Sequence, residues 1–62
     1  MKKFEYKTVN ERFFENIDYS ELEREINKMG SAGWEMVTAI IFKDSYNKNF
    51  QHVTCFFKRE IE

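Results

Sequence analysis

The chain has 62 residues, a formal net charge of −1, 18% aromatic residues, one cysteine and one histidine. This length predicts a single domain over residues 1–62, too small to bury a large core without a disulfide, a metal or an oligomer. One cysteine excludes an internal disulfide, and one cysteine with one histidine excludes a zinc site within a single chain. The balanced charge argues against double-stranded DNA as a partner. Self-association is therefore the expected means of stabilisation.

The beginning of the chain lacks the pattern of a secretory signal. Met1-Lys2-Lys3 is followed by Phe4-Glu5-Tyr6-Lys7 rather than by an apolar segment, so no signal peptide is expected. The longest mainly apolar run, residues 36–42, is far too short to cross a bilayer. With a lone thiol, these features predict a cytoplasmic protein without membrane contact.

Residues 3–9 alternate between apolar and charged side chains, which predicts a half-buried first strand over about these residues. Residues 10–16 have no clear period and contain Phe13 and Phe14 among polar neighbours. Two interpretations remain open for this pair. It folds back under the helix from a connecting loop, or it forms an exposed aromatic patch that docks on a partner.

A helix is predicted over about residues 19–29. Asp18 can be its N-cap with Glu21 completing a capping box, and Ser20 with Glu23 is an alternative start. Apolar residues then recur at three- and four-residue spacing and form one stripe. The stripe consists of Tyr19, Leu22, Ile26 and Met29.

Gly30, Gly33 and Trp34 are expected to have structural roles between the helix and the second strand. Gly30 is predicted to follow the last helical residue, because glycine adopts the left-handed conformation at little cost. Gly33 then turns the chain and Trp34 begins the strand. Glycines that end a helix do not form a phosphate-binding loop, since such loops precede a helix.

Two further strands are predicted over about residues 34–43 and 50–59, joined by a polar hairpin loop at residues 44–49. Both strands carry apolar side chains on both faces, which is typical of strands that are covered on both sides. The expected fold class is α+β, with a three-stranded, mainly antiparallel sheet and one helix on one face, in the order β-α-β-β. One helix leaves the second face of this sheet uncovered.

The register of the hairpin decides which side chains lie on the uncovered face, and two registers are possible. Pairing of Phe42 with Gln51 groups Ile41 with His52, and pairing of Phe42 with Phe50 exchanges the two sets. In either case the uncovered face is predicted to form a homodimer or a higher closed oligomer, packed sheet to sheet. Burying five or six apolar side chains there would gain on the order of 8–15 kcal/mol before entropy costs. The predicted oligomer interface contains Ile41, His52, Thr54 and Phe56.

No catalytic residue, cofactor or metal ligand is predicted, and the protein is not expected to be an enzyme. His52 and Cys55 resemble a nucleophilic pair, but residues three apart in a strand point to opposite faces. The carboxylates lie around the helix start and its outer face, whereas acid–base catalysis needs paired carboxylates in a cleft.

Basic and aromatic side chains near loops and strand ends form a candidate binding set. Such side chains can hold a phosphate and stack on a base. The alternative is that the charges only protect strand edges from aggregation. In a dimer, these residues from two chains can converge at the subunit interface, where ligand sites often lie. The candidate ligand- or partner-binding residues are Arg12, Phe13, Phe14, Tyr46, Lys48 and Arg59.

Four segments stand out by their order and spacing: Lys3-Phe4-Glu5-Tyr6-Lys7, residues 22–29, Gly33-Trp34-Glu35-Met36-Val37 and Phe56-Phe57-Lys58-Arg59-Glu60. Together they resemble the domain of unknown function 4177 family of small bacterial and phage proteins, over nearly the whole chain. The resemblance implies a β-α-β-β domain and brings no established activity and no catalytic residues. Phe13-Phe14 and the loop at residues 44–49 fall where that family varies, so a specific function is expected there.

Two classes of function follow from these patterns. The first is a non-catalytic, homo-oligomeric interaction module that contacts a protein partner through Phe13, Phe14 and the loop surface. The second is a small-molecule binder of phage or mobile-element type that sequesters a nucleotide signal, a small anionic ligand, in a pocket at the subunit interface.

Overall fold

The computed structural model describes residues 1–61 and has one helix and three strands. The chain forms β1 (Lys3–Phe14), α1 (Tyr19–Ser31), β2 (Glu35–Lys43) and β3 (Phe50–Ile61). The strands lie in the order β1-β3-β2, and β3 pairs antiparallel with both neighbours. The predicted β-α-β-β fold with a three-stranded antiparallel sheet is confirmed. In residues 1–61, no helix has the length and apolar character needed to span a membrane.

The first strand is five residues longer than predicted, because its second half pairs with β3. Asn10 lies opposite Thr54, and Phe14 lies opposite Phe50. Asn, Glu and Arg favour strands only weakly, but pairing with a neighbouring strand overrides such preferences. The extension separates the two phenylalanines: Phe13 is buried in the core, whereas Phe14 is exposed on the other face. Neither interpretation of a single Phe13-Phe14 unit is therefore correct.

The helix begins as the sequence predicts. Asp18 is the N-cap, and its side chain accepts a hydrogen bond of 3.2 Å from the backbone N–H of Glu21. Leu22 is buried beneath the first turn, and Ile17, just before the cap, packs against the same cluster. The cap and this apolar contact together set the direction in which the helix leaves the sheet.

The helix ends later than predicted, and the glycine that terminates it is Gly33. Ala32 is the C-cap, and Gly33 has a φ of +91°. The Gly33 N–H donates to the Gly30 carbonyl, and the Trp34 N–H donates to the Met29 carbonyl, each at 3.0 Å. This pair of bonds is the Schellman arrangement. Gly30 lies inside the helix, so its predicted role as the terminating residue is wrong.

The hairpin register groups Phe42 with His52 and Ile41 with Val53. Phe42 therefore lies on the same face as Phe50, as in the second of the two possible registers. One extra residue, Val37, forms a bulge between Met36 and Thr38. The bulge reverses the alternation, so Met36, opposite Phe57, lies on the helix side while Ile40 and Phe42 lie on the other side.

The core lies between α1 and the β1–β3 half of the sheet. Val53, Cys55 and Phe57 of the central strand are each 2% exposed and meet Phe13 and Leu22. Partly buried apolar side chains that surround this cluster are Val9, Ile17, Ile26, Met29 and Trp34. No residue of β2 is buried, and none belongs to the core cluster.

The two glycines give a matched test of the helix end. Gly33→Ala places an L side chain at positive φ, with its Cβ 3.4 Å from Arg59 Cδ, and we expect a loss of about 1–2 kcal/mol in the free energy of unfolding. Gly30→Ala meets no atom within 4 Å and should stabilise the helix by about 0.5–1 kcal/mol. Denaturant unfolding of both variants measures these changes. Equal effects would contradict the assignment of Gly33 as the terminating residue.

Candidate functional site

The face of the sheet opposite the helix, here called the open face, carries a continuous group of aromatic and polar side chains. The strand registers, together with the alternation of side chains along each strand, place these side chains on the same side of the sheet. Phe14 and Phe50 meet edge to face at 5.1 Å between ring centroids. The open face consists of Phe4, Tyr6, Thr8, Asn10, Arg12 and Phe14 of β1, Thr38, Ile40 and Phe42 of β2, and Phe50, His52, Thr54, Phe56 and Lys58 of β3.

His52 is at the centre of a row of hydrogen bonds on the open face. Its Nε2 lies 2.8 Å from Asp44 Oδ1, and its Nδ1 lies 3.2 Å from Asn10 Oδ1. Asn10 Nδ2 in turn donates to Thr54 Oγ1 at 2.6 Å. The Phe42 ring stacks on the imidazole at 5.0 Å, with 10° between the planes.

Asp44 links this row to the hairpin loop. Its second carboxylate oxygen accepts hydrogen bonds of 2.9 Å from the backbone N–H groups of Tyr46 and Asn47. The hydrogen bond with His52, reinforced by those two backbone donors, lowers the pKa of Asp44 to about 2. The carboxylate therefore stays ionised, and it fixes both the loop and the His52 ring.

Arg12 lies near one end of the open face, beside the hairpin loop. Its guanidinium carbon is 3.8 Å from the centroid of the Phe50 ring. No carboxylate of residues 1–61 is within ion-pair distance of Arg12. Tyr46, in the adjoining loop, is 99% exposed, and Lys48 of the same loop is also exposed. The structure thus brings four of the predicted binding residues to one end of the open face: Arg12, Phe14, Tyr46 and Lys48.

Arg59 does not join that group. It lies seven residues along β3 from His52, or roughly 23 Å, and on the helix side of the sheet, opposite Glu5. Its guanidinium donates to the Glu5 carboxylate and to the Ala32 carbonyl, and lies 4.3 Å from the Trp34 ring centroid. Arg59 connects the helix end to β1, so within one chain it does not converge with Arg12.

The predicted interface residues divide between the two faces. His52, Thr54 and Phe56 share the open face, whereas Ile41 lies opposite Val53 on the helix side. The grouping of Ile41 with the other three was wrong, because the hairpin register places Phe42, and not Ile41, opposite His52. Asn10 and Asp44 were not identified as partners of His52. Asn10 was missed because the first strand was ended at Val9, and Asp44 because it was assigned only a turn role.

The cysteine and histidine lie on opposite faces of β3. Cys55 is buried in the core, and this burial, with a smaller contribution from the charge of Glu11, raises the pKa of its thiol. A neutral, buried thiol is a poor nucleophile. Residues 1–61 contain no group of three or more His, Cys, Asp or Glu side chains placed to hold a metal. A concave surface near the termini contains none of the candidate binding residues and is lined by Met1, Lys2, Lys3, Glu60 and Ile61.

Fold and surface together define a small α+β domain with one helix and an uncovered sheet face. A family model described as "Domain of unknown function (DUF4177)" matches residues 4–60, and the chain belongs to this family. Comparison with curated proteins and with solved structures gave no match. The family membership confirms the resemblance and assigns no activity.

The ionisation of Asp44 tests the hydrogen-bonded row. The pKa of Asp44 is lowered to about 2 in the folded protein. The ionised carboxylate therefore stabilises the fold fully above the ordinary pKa of an aspartate, and this stabilisation is lost as the pH falls from that ordinary value towards 2. We expect His52→Ala to raise the Asp44 midpoint, since the His52 bond is the largest cause of the shift. Carboxyl chemical shifts in a pH titration measure this midpoint. Asn10→Ala is the control, because Asn10 contacts the other ring nitrogen of His52, and it should leave the midpoint low.

Proposed function

We propose that this protein is a non-catalytic interaction module that binds a second copy of itself through the open face, sheet against sheet. One observation carries the proposal. In a chain of only 62 residues, large apolar side chains of the open face remain exposed on both outer strands, β1 and β2. These side chains are Phe4, Tyr6, Phe14, Ile40 and Phe42.

The energetic case rests on the small size of the core. Five residues form the buried cluster, whereas each further apolar side chain that is fully buried can gain about 1.5–3 kcal/mol. The net stability of a small domain is about 5–15 kcal/mol. Covering the open face would therefore add an amount comparable with the stability of the whole domain.

Charge and hydrogen bonding favour a second copy as the occupant. The net charge of −1 gives little repulsion between identical chains. The polar side chains in the middle of the face already bond to one another, through His52, Asn10 and Thr54. A partner can cover them without leaving unpaired polar groups, which would oppose association.

The surroundings of the two candidate nucleophilic residues, Cys55 and His52, support a non-catalytic role. The thiol of Cys55 is buried, and its raised pKa disfavours the reactive thiolate. His52 is held by Asp44 and Asn10 on the opposite face. We place the protein in the cytoplasm, where a free thiol is maintained by reducing conditions.

Two exposed tyrosines provide a matched test of the open face. Tyr6, 73% exposed, lies on the open face, and Tyr19, 65% exposed, lies at the helix start. We expect Tyr6→Glu to weaken self-association about tenfold, because association would bury a charge against apolar side chains. Tyr19→Glu should leave it unchanged. Sedimentation equilibrium over a range of concentrations measures both.

The proposal makes a strict demand on the unmodified protein. A stably folded monomer throughout the micromolar range would overturn it, and so would equal association constants for the two variants. Circular dichroism of each variant verifies that the helix and sheet are retained.

A second candidate function, binding of a small anionic ligand, is favoured by the environment of Arg12. Its guanidinium stacks on Phe50, lacks a carboxylate partner within residues 1–61, and adjoins the loop that carries Tyr46 and Lys48. Stacking surfaces next to basic groups are how proteins hold nucleotides. In this alternative, a protein of phage or mobile-element type sequesters a nucleotide signal between subunits.

A thermal-shift comparison separates this candidate from the first. Nucleotides and cyclic oligonucleotides should raise the unfolding temperature of the unmodified protein and not that of Arg12→Gln. Arg24→Gln on the helix is the control and should respond like the unmodified protein. If none of these ligands raises the unfolding temperature, the second candidate is excluded and the first is unaffected.

A further inference from the structure

The row of hydrogen bonds on the open face, made of Asp44, His52, Asn10 and Thr54, can be completed with the imidazole in either protonation state. His52 Nε2 lies 2.8 Å from Asp44 Oδ1, and Nδ1 lies 3.2 Å from Asn10 Oδ1. Two members of the row are reversible. An asparagine amide offers an acceptor on one side and donors on the other, and a threonine hydroxyl both donates and accepts. The row therefore has two complete patterns of hydrogen bonds.

In the first pattern, the imidazole carries a proton on both ring nitrogens. The Nε2–H donates to the Asp44 carboxylate, and the Nδ1–H donates to Asn10 Oδ1. The Asn10 amide nitrogen then donates to Thr54 Oγ1 at 2.6 Å. Each contact of the row joins a donor to an acceptor, and His52 is positively charged.

In the second pattern, the Nδ1 proton has left to solvent and His52 is neutral. Half a turn of the Asn10 amide exchanges its oxygen and nitrogen, so the amide donates to Nδ1 and its oxygen accepts from the Thr54 hydroxyl. The Nε2–H remains on Asp44, because an ionised carboxylate only accepts. The stacked Phe42 ring and the Asp44 bond hold the imidazole in place. The amide, and not the ring, therefore has to reverse.

The two patterns differ by one charge at the centre of the open face. Arg12 lies opposite His52 in β1, and Asp44 is bonded to the ring. Three carboxylates and two basic groups leave this surface with one net negative charge when His52 is neutral and with none when His52 is protonated. The five groups, on the face or at its border, are Asp44, Glu35 and Glu60 with Arg12 and Lys58.

We propose that His52, Asn10 and Thr54 form a proton switch that regulates the open face, in which protonation of His52 strengthens the contact with a second copy and deprotonation weakens it. The proposal rests on the self-association proposed above. The imidazole is 17% exposed and the Asp44 side chain 20% exposed, so the proton exchanges with solvent while the face is uncovered.

The sign of the effect follows from the charge that a partner would bury. A net charge is costly to remove from water, whereas a contacting pair of opposite charges is partly compensated. Two copies whose faces are both negative also repel each other. Because the row is fully bonded in both patterns, the switch changes the charge of the face without leaving a polar group unpaired. Histidine is the side chain that ordinarily changes charge between about pH 5 and 8.

The pH dependence of self-association tests the regulatory effect. We expect the association constant to be about fivefold higher at about pH 5.5 than at about pH 7.5, measured by sedimentation equilibrium. His52→Gln removes the one histidine of the chain and should make association equal at both pH values. Circular dichroism verifies that this variant is folded. Equal association of the unmodified protein at both values would overturn the switch and leave the self-association proposal standing, whereas a monomer at both values would overturn the two together.

The reversal of the Asn10 amide has a readout that needs neither the variant nor association. In a pH titration of dilute, isotope-labelled protein, the Asn10 amide protons should show nuclear Overhauser contacts to the Thr54 methyl group at acid pH. These contacts should move to the His52 Hε1, beside Nδ1, as the ring loses its proton. Nitrogen chemical shifts of the ring should show Nδ1, and not Nε2, as the atom that is deprotonated. Deprotonation at Nε2, or amide contacts that do not change with pH, would overturn the switch.

Discussion

The structure depends on one mismatch: a single helix packs on a sheet of three strands. A helix with its side chains is about 10–12 Å wide, whereas three strands at about 4.8 Å spacing span roughly 14 Å. The helix covers β1 and β3, where Phe13, Val53 and Phe57 are buried. It leaves β2 exposed along its length, and nothing in residues 1–61 covers the opposite face. Both uncovered surfaces are consequences of this mismatch.

The two surfaces differ in the interactions that they offer. The open face presents rings arranged around a polar row, in which Asp44 and Asn10 orient His52. Because these hydrogen bonds form within one chain, the polar side chains keep the same orientation whether or not a partner covers the face. The β2 edge offers unpaired backbone groups between exposed apolar side chains. A domain with a small core would gain stability if either surface were covered.

Much of the fold was predictable because its local signals are strong. Asp18 and Glu21 mark the helix start, the alternation of residues 3–9 marks the first strand, and apolar runs on either side of a polar loop mark the other two. The candidate site was predicted only in part. His52, Thr54 and Phe56 share one face of the sheet, as predicted. Asn10 and Asp44 were missed, because their roles depend on a long β1 and on a bond across the hairpin.

Larger errors came from single-residue shifts. The helix continues through Gly30, since Gly33 can also adopt positive φ and lies next to Arg59. The bulge at Val37 moves the side chains before it to the other face, so strict alternation along β2 groups Trp34 and Ile40 incorrectly. A shift of one residue in register moves every side chain of a strand to the other face. The same shift hardly changes the predicted bounds of that strand.

The sequence by itself determined the kind of each element, the helix start and the surplus of apolar side chains over what one helix can cover. These depend on spacing and composition, which act locally along the chain. Only the tertiary structure decided the length of β1, the central place of β3, the hairpin register and the bulge. Each of these results from pairing between residues distant in sequence, and the energy of such pairing depends on both strands at once. The separation of Phe13 from Phe14, and of Arg12 from Arg59, follows from that pairing.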